Sequence, residues 1–181
     1  MDATSFDGYI QSQLFERRIV LARGTIDDAM ATNLAAQLLT LDANADEPIQ
    51  LHLSSPGGDL GAALTLADTI KVLAADLTVT AVGEVSGAAI AVLAASPRRT
   101  GYPHARFGLK EPESGQLTGT ATDLGTHAQE YLRQRGNLVD LIAEATGRQP
   151  ESVDEDLRKG RFLSAEEAVG YGLIQRVMVR T

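Results

Sequence analysis

Apolar residues recur along the chain in two rhythms, one of period two and one near 3.6, and their alternation predicts strands feeding helices. Ile19-Val20-Leu21 is a short apolar strand closed by Gly24. Met30, Leu34, Leu38 and Leu41 then mark one face of a helix that Asp27 or Asp28 can cap. Ile49-Gln50-Leu51-His52-Leu53 alternates as a half-buried strand does. It runs into the tight turn Ser54-Ser55-Pro56-Gly57-Gly58-Asp59, and Leu60, Ala63, Leu64, Ala67 and Ile70 line the helix after it. The pattern recurs: residues 77–82 alternate as a strand, 83–87 make a turn, and 88–95 read as a helix of small residues.

Residues 105–109 predict a further strand. Thr122 or Asp123 opens the longest helix, spanning about 122–146, with Leu124, Ala128, Tyr131, Leu138 and Ile142 apolar along it and Gly147 as its stop. Pro150 starts a short helix that ends at Gly160. Ser164-Ala165-Glu166-Glu167 has the S-x-x-E form of a capping box, Gly172 ends that helix, and residues 174–179 close as a strand. Such a succession predicts an α/β fold with right-handed crossovers. No linker divides it, so the expectation is one domain over residues 1–181, with 1–14 a short N-terminal segment.

Charge narrows the partners. The 24 acidic and 16 basic residues give a net charge of -8, which repels phosphate backbones and anionic lipid, so neither nucleic acid nor a membrane is expected. The longest apolar stretch, 85–95, is interrupted by Ser86 and Gly87 and falls short of the roughly 20 residues of a membrane-spanning helix. The first residues lack the basic and apolar pattern of a secretory signal, so a cytoplasmic protein is expected. There are no cysteines, and His52, His104 and His127 lack metal-ligand spacing, so no metal or cofactor is expected. Ser54 and Ser55 are read as turn-formers, and the acids from Glu151 to Asp156 as a solvated helix face.

Two turns carry the candidate chemistry. Gly57-Gly58 and Gly83-Glu84-Val85-Ser86-Gly87-Ala88 each place backbone N–H groups at the start of a helix after a strand. If they converge, they form an oxyanion hole; if not, they are two ordinary strand-to-helix turns. Both readings stay open on spacing alone.

Ser55-Pro56-Gly57-Gly58 resembles the Ser-Pro-Gly-Gly turn of the Clp protease proteolytic-subunit (ClpP) family. Val82-Gly83-Glu84-Val85-Ser86-Gly87-Ala88, Asp123 with His127-Ala128, Arg161-Phe162-Leu163-Ser164-Ala165-Glu166-Glu167-Ala168 and Tyr171-Gly172-Leu173-Ile174 follow in the family's order. The resemblance covers about Phe15 to Val179. It implies a ClpP/crotonase-like spiral of strand-helix units, with the long helix as a handle between two heptameric rings stacked as a tetradecamer. Active members are serine peptidases fed by a Clp unfoldase.

Carried over residue by residue, the family's Ser-His-Asp triad falls on Gly87, Lys110 and Gly160. Without a nucleophile there is no acyl-enzyme, and without an imidazole the usual base is missing. The oxyanion donors fall on Gly58 and Ala88 and do not depend on side-chain identity. The expectation is a degenerate, ClpR-like subunit that forms or joins a Clp-type barrel without hydrolysing. The alternative is a peptidase using a Ser86–Lys110 dyad; against it, a one-residue shift at a helix start turns a side chain by roughly 100°. Lys110 is instead expected to pair with Glu84 or Glu111. A third reading, acyl-CoA chemistry as in crotonase relatives, lacks any visible pocket and ranks last.

The resemblance also bears on partners: a homo-oligomer, or a hetero-oligomer with an active paralogue. Axial-pore loops are expected to be short or missing. The positions that line the unfoldase pocket read Gln50, His52 and Thr100, a more polar lining, so Clp ATPase docking is doubtful.

Overall fold

The computed structural model of the chain describes residues 3–112 and 121–179, with side-chain environments for 8–112 and 123–179. Helix α1 (Ala3–Glu16) leads into β1 (Ile19–Arg23), α2 (Asp28–Asn44), β2 (Ile49–Ser55), α3 (Leu60–Val72), β3 (Leu77–Ser86) and α4 (Ala89–Ala94). Then come β4 (Arg98–Gly101), β5 (Arg106–Leu109), α5 (Ala121–Thr146), α6 (Pro150–Lys159), β6 (Arg161–Leu163), α7 (Ala165–Tyr171) and β7 (Arg176–Val177).

The strands lie in the order β1-β2-β3-β4-β7, all parallel. β3 changes partner along its length. Its first half, Thr78 to Ala81, pairs β4, and its second half, Glu84 to Ser86, pairs β5. β5 in turn pairs β6 antiparallel. The ten-residue β3 therefore belongs to the main sheet at one end and to a small β3-β5-β6 sheet at the other. The candidate site sits where it changes over.

Several expected elements are extended by this arrangement. Residues 83–86, expected as a turn, continue β3, because Glu84, Val85 and Ser86 find partners in Arg106, Phe107 and Gly108. β4 escaped the pattern, since Arg98-Arg99-Thr100-Gly101 shows no apolar alternation. Its buried arginine, Arg99, spends its donors on carbonyl oxygens inside the fold. The N-terminal segment carries a helix, α1, and the closing strand shrinks to Arg176–Val177.

Helix termini follow local chemistry. Asp27 and Asp59 accept from Met30 N–H and Ala62 N–H at the starts of α2 and α3. Ser164 and Glu167 form the reciprocal capping box of α7. Helix α4 has no amphipathic stripe because every one of its residues is buried, packed between α3, α5 and the sheet. In α5 only the C-terminal half joins the core, through Leu138, Val139, Leu141, Ile142 and Ala143. Residues 123–130 are exposed throughout, and Leu132 is 63% exposed, so the helix projects from the body. Of the apolar positions noted along this helix, Leu124 and Ala128 are exposed.

Candidate active site

The β2-α3 turn is built around an obligatory glycine. A Cβ on Gly58, whose φ is +141°, would lie 2.1 Å from the Ile26 carbonyl oxygen. Ile26 grips the turn from both sides: its N–H donates to Gly57 O at 2.9 Å, and its carbonyl accepts from Asp59 N–H at 2.8 Å. Ser55 closes the turn as expected of a turn-former, its hydroxyl donating to Gly57 O and accepting from Gly57 N–H.

The second turn follows β3 and faces the first. A Cβ on Gly57 would lie 3.4 Å from the Ser86 carbonyl oxygen and 3.9 Å from the Ala88 nitrogen. The strand-to-helix turns that carry Gly58 and Ala88 thus converge.

Gly87 is buried, with φ +54°, and its N–H donates to Gly108 O at 3.0 Å. A Cβ there would meet Lys110 Cε at 3.6 Å and Lys110 Cγ at 3.9 Å, ordinary contact distances. The position has room for a side chain, and a lysine stem borders that room. Gly160 lies one step beyond the Leu109–Arg161 pair of β5 and β6, which brings it across from Lys110. It is exposed and caps α6 in the left-handed conformation, its N–H donating to Asp156 O and Leu157 O. Gly87 and Lys110 are thus neighbours at the junction of the two sheets, whereas a Cβ on Gly160 would meet nothing within 4 Å.

Ser86 points elsewhere. Its side chain is fully buried, and its hydroxyl lies 2.9 Å from Pro56 O and 2.7 Å from Glu84 Oε1. No hydrogen bond joins it to Lys110 among the described residues. Gly108 makes this possible: a Cβ there would stand 2.5 Å from that of Ser86. Spacing gave no hint of the Pro56 contact, because it depends on which strand lies beside β3.

Lys110 pairs with neither carboxylate expected for it. Glu84 accepts from Ser86, and Glu111 is taken by Arg135 of α5, with Nε to Oε2 at 2.8 Å and Nη2 to Oε1 at 2.6 Å. Arg135 also holds Asp154 of α6. Hydrogen bonding to Glu111 raises the Arg135 pKa, and the guanidinium holds the Asp154 carboxyl below its ordinary range. Tyr131 adds a bond from its hydroxyl to Pro112 O at 3.0 Å. The long helix thereby fixes the segment that follows Lys110. The acids of α6 are accordingly more than a solvated face: Asp154 binds Arg135 and Arg158, and Asp156 accepts from Tyr171 at 2.9 Å.

The family model for Clp protease matches residues 4–181. The chain belongs to the Clp protease family. Its mixed α/β architecture agrees with a ClpP-like fold.

For a Clp protease family chain, the outer sheet face holds one more surprise. Leu21, His52, Thr80 and Thr100 form one row across β1, β2, β3 and β4. Thr100, expected to make that face polar, is buried and bonded to Thr80 Oγ1 at 2.9 Å. Gln50 is exposed, and His52 is half-buried against the edge of Tyr102 at 6.4 Å. Burial pushes the His52 imidazole below its ordinary pKa. Leu21, Val82 and Tyr102 expose 50%, 36% and 39% of their surface, so this face is mixed in character instead of polar. No helix among the described residues is long and apolar enough to cross a membrane.

Proposed function

We propose that this Clp protease family subunit is non-hydrolytic and serves an assembly as wall and interface. One observation supports this above the others: Gly87, beside Lys110 and the two converging turns, carries no nucleophile. Serine acyl transfer needs an oxygen at that point and a base within hydrogen-bond reach. The Ser86 hydroxyl is buried and engaged by Pro56 and Glu84, and that of Ser55 is held by Gly57. A dyad of Ser86 with Lys110 would require Ser86 to leave both partners and turn toward solvent.

Clp proteases generally form oligomeric rings, and the projecting half of α5 suits contact with another subunit. The reading is a ring, heptameric or stacked as a tetradecamer, built by this chain alone or with an active paralogue. Exposed Leu124 and Leu132 give that helix apolar positions to cover. Sedimentation velocity at micromolar concentration, alone and mixed with an active Clp proteolytic subunit, tests it. A ring-sized species containing this chain is expected in at least one of the two; monomer in both would overturn the reading.

A further inference from the structure

Strand β1 forms one edge of the main sheet, and half of its peptide groups have no partner strand. Arg18 O accepts from Gln50 N–H at 2.9 Å and Gly24 N–H donates to Ser54 O at 3.0 Å, so the even-numbered residues carry the ladder to β2. The N–H and C=O groups of Ile19, Leu21 and Arg23 point the other way, and no hydrogen bond reaches them among the described residues.

Sheet edges are ordinarily blunted by shortness, charge, proline or a bulge, because an open row of donors and acceptors pairs with a strand that meets it. The other edges follow that rule: β7 has two residues and β6 three, each opening on an arginine. β1 does not. It runs five residues as Ile-Val-Leu-Ala-Arg, pairs β2 in unbroken register and leaves Leu21 50% exposed.

This edge is also the floor of a cleft of about 580 Å³. The cleft takes Ile19, Leu21 and Arg23 from β1, Met30 and Leu34 from α2 and Leu14 from α1, so it follows the strand between the two helices. Apolar walls over a floor of peptide groups complement an extended chain, whose backbone pairs the floor while alternate side chains meet the walls. Met30, unbranched, adapts to side chains of different shape. Arg23 stands exposed at one end and forms no ion pair among the described residues.

We infer that β1 takes up an extended segment of a partner protein as an added strand, one with apolar side chains at alternate positions and an acid at the end that meets Arg23. The groove shares no residue with the converging turns, so its occupation does not depend on hydrolytic competence.

Fluorescence anisotropy on the full chain tests it, with fluorescein-Thr-Val-Thr-Val-Asp amide as the probe. Two isomers carry N-methyl groups, one on both valines and the other on both threonines. Strand pairing uses the N–H groups of alternate residues, so one isomer is expected to lose at least about tenfold in affinity and the other to stay within about twofold of the parent. Arg23→Glu is expected to weaken the parent peptide at least about threefold and to strengthen the peptide with Lys in place of Asp. Amide hydrogen exchange locates the contact: Leu21 and Arg23 are expected to slow at least about tenfold with saturating peptide, while Val20 and Ala22 are slow throughout. Absent binding of the parent peptide, the same response to both isomers, or an unaffected Arg23→Glu variant would overturn the proposal. So would slow exchange of Leu21 and Arg23 in the assembled protein without peptide, which would make this edge a contact between copies of the chain.

Discussion

The Ser86 hydroxyl lies 2.7 Å from a carboxylate oxygen of Glu84, inside a strand that leaves Ser86 no exposed surface. This contact makes Ser86 a structural residue. Ser86→Ala removes the hydroxyl's contacts with Pro56 O and Glu84 Oε1 and costs about 0.5–1.5 kcal/mol of stability. Urea denaturation measures the loss. Oligomeric state should not change with it.

Gly108 and Ser86 form a coupled pair. A Cβ on Gly108 would stand 2.5 Å from that of Ser86 and 2.9 Å from Phe162 Cε1, and only the phenyl ring, a side-chain end, can move aside cheaply. Gly108→Ala is expected to cost about 1–3 kcal/mol through overpacking. In a double-mutant cycle, Ser86→Gly should recover part of that loss. Strict additivity would show that the two positions do not press on each other.

Two adjacent arginines offer a contrast. Arg98 pairs with Asp76 on the surface, where each side chain is 55% exposed, and Arg98→Met should change stability by less than about 1 kcal/mol. Arg99 is buried and donates to the carbonyls of Leu173, Ser96, Ala145 and Gly172, at the ends of α4, α5 and α7. Positive charge there complements three helix C-termini. Arg99→Met leaves those carbonyls unpaired and is expected to cost roughly 3 kcal/mol or more. Arg99→Lys cannot span four acceptors and should restore less than half.

His52 links stability to pH. Burial lowers its folded-state pKa below the ordinary 6.5, so the unfolded chain binds the proton more readily. Its contribution is complete above the unfolded value and is lost as pH falls through that value toward the folded one. Unfolding free energies at about pH 7.5 and about pH 5.5 should show a smaller acid-induced drop in His52→Gln than in the wild type. An equal drop in both would assign the effect elsewhere.

Elements with strong local signals were legible in the sequence. The caps at Asp27 and Ser164, the glycine stops and the period of α2 and α3 all act within a few residues. β4 was not legible, because a buried arginine reads as a surface one until its carbonyl partners are known. The turn expected over residues 83–87 failed for a similar reason: β5, remote in sequence, completes β3. At the site, the Ser-Pro-Gly-Gly turn and the elbow could be found by resemblance. The Ser86–Pro56 contact, the need for Gly108 and the Arg135 clamp on Glu111 all arise from packing between elements, which no local pattern encodes.

The central claim is that no serine at this site attacks a carbonyl, and fluorophosphonate labelling of the purified protein tests it most directly. Gly87→Ser supplies the contrast. Its added Cβ meets only ordinary contacts, and its φ of +54° costs about 1–2 kcal/mol, so the variant should fold. With Lys110 beside the new hydroxyl, it is expected to take up the probe slowly, and Gly87→Ser with Lys110→Met is expected to lose that uptake. The wild-type chain should remain unlabelled beside an active Clp proteolytic subunit that reacts fully. Wild-type labelling that disappears in Ser86→Ala would contradict the account and make this chain a serine peptidase acting through Ser86.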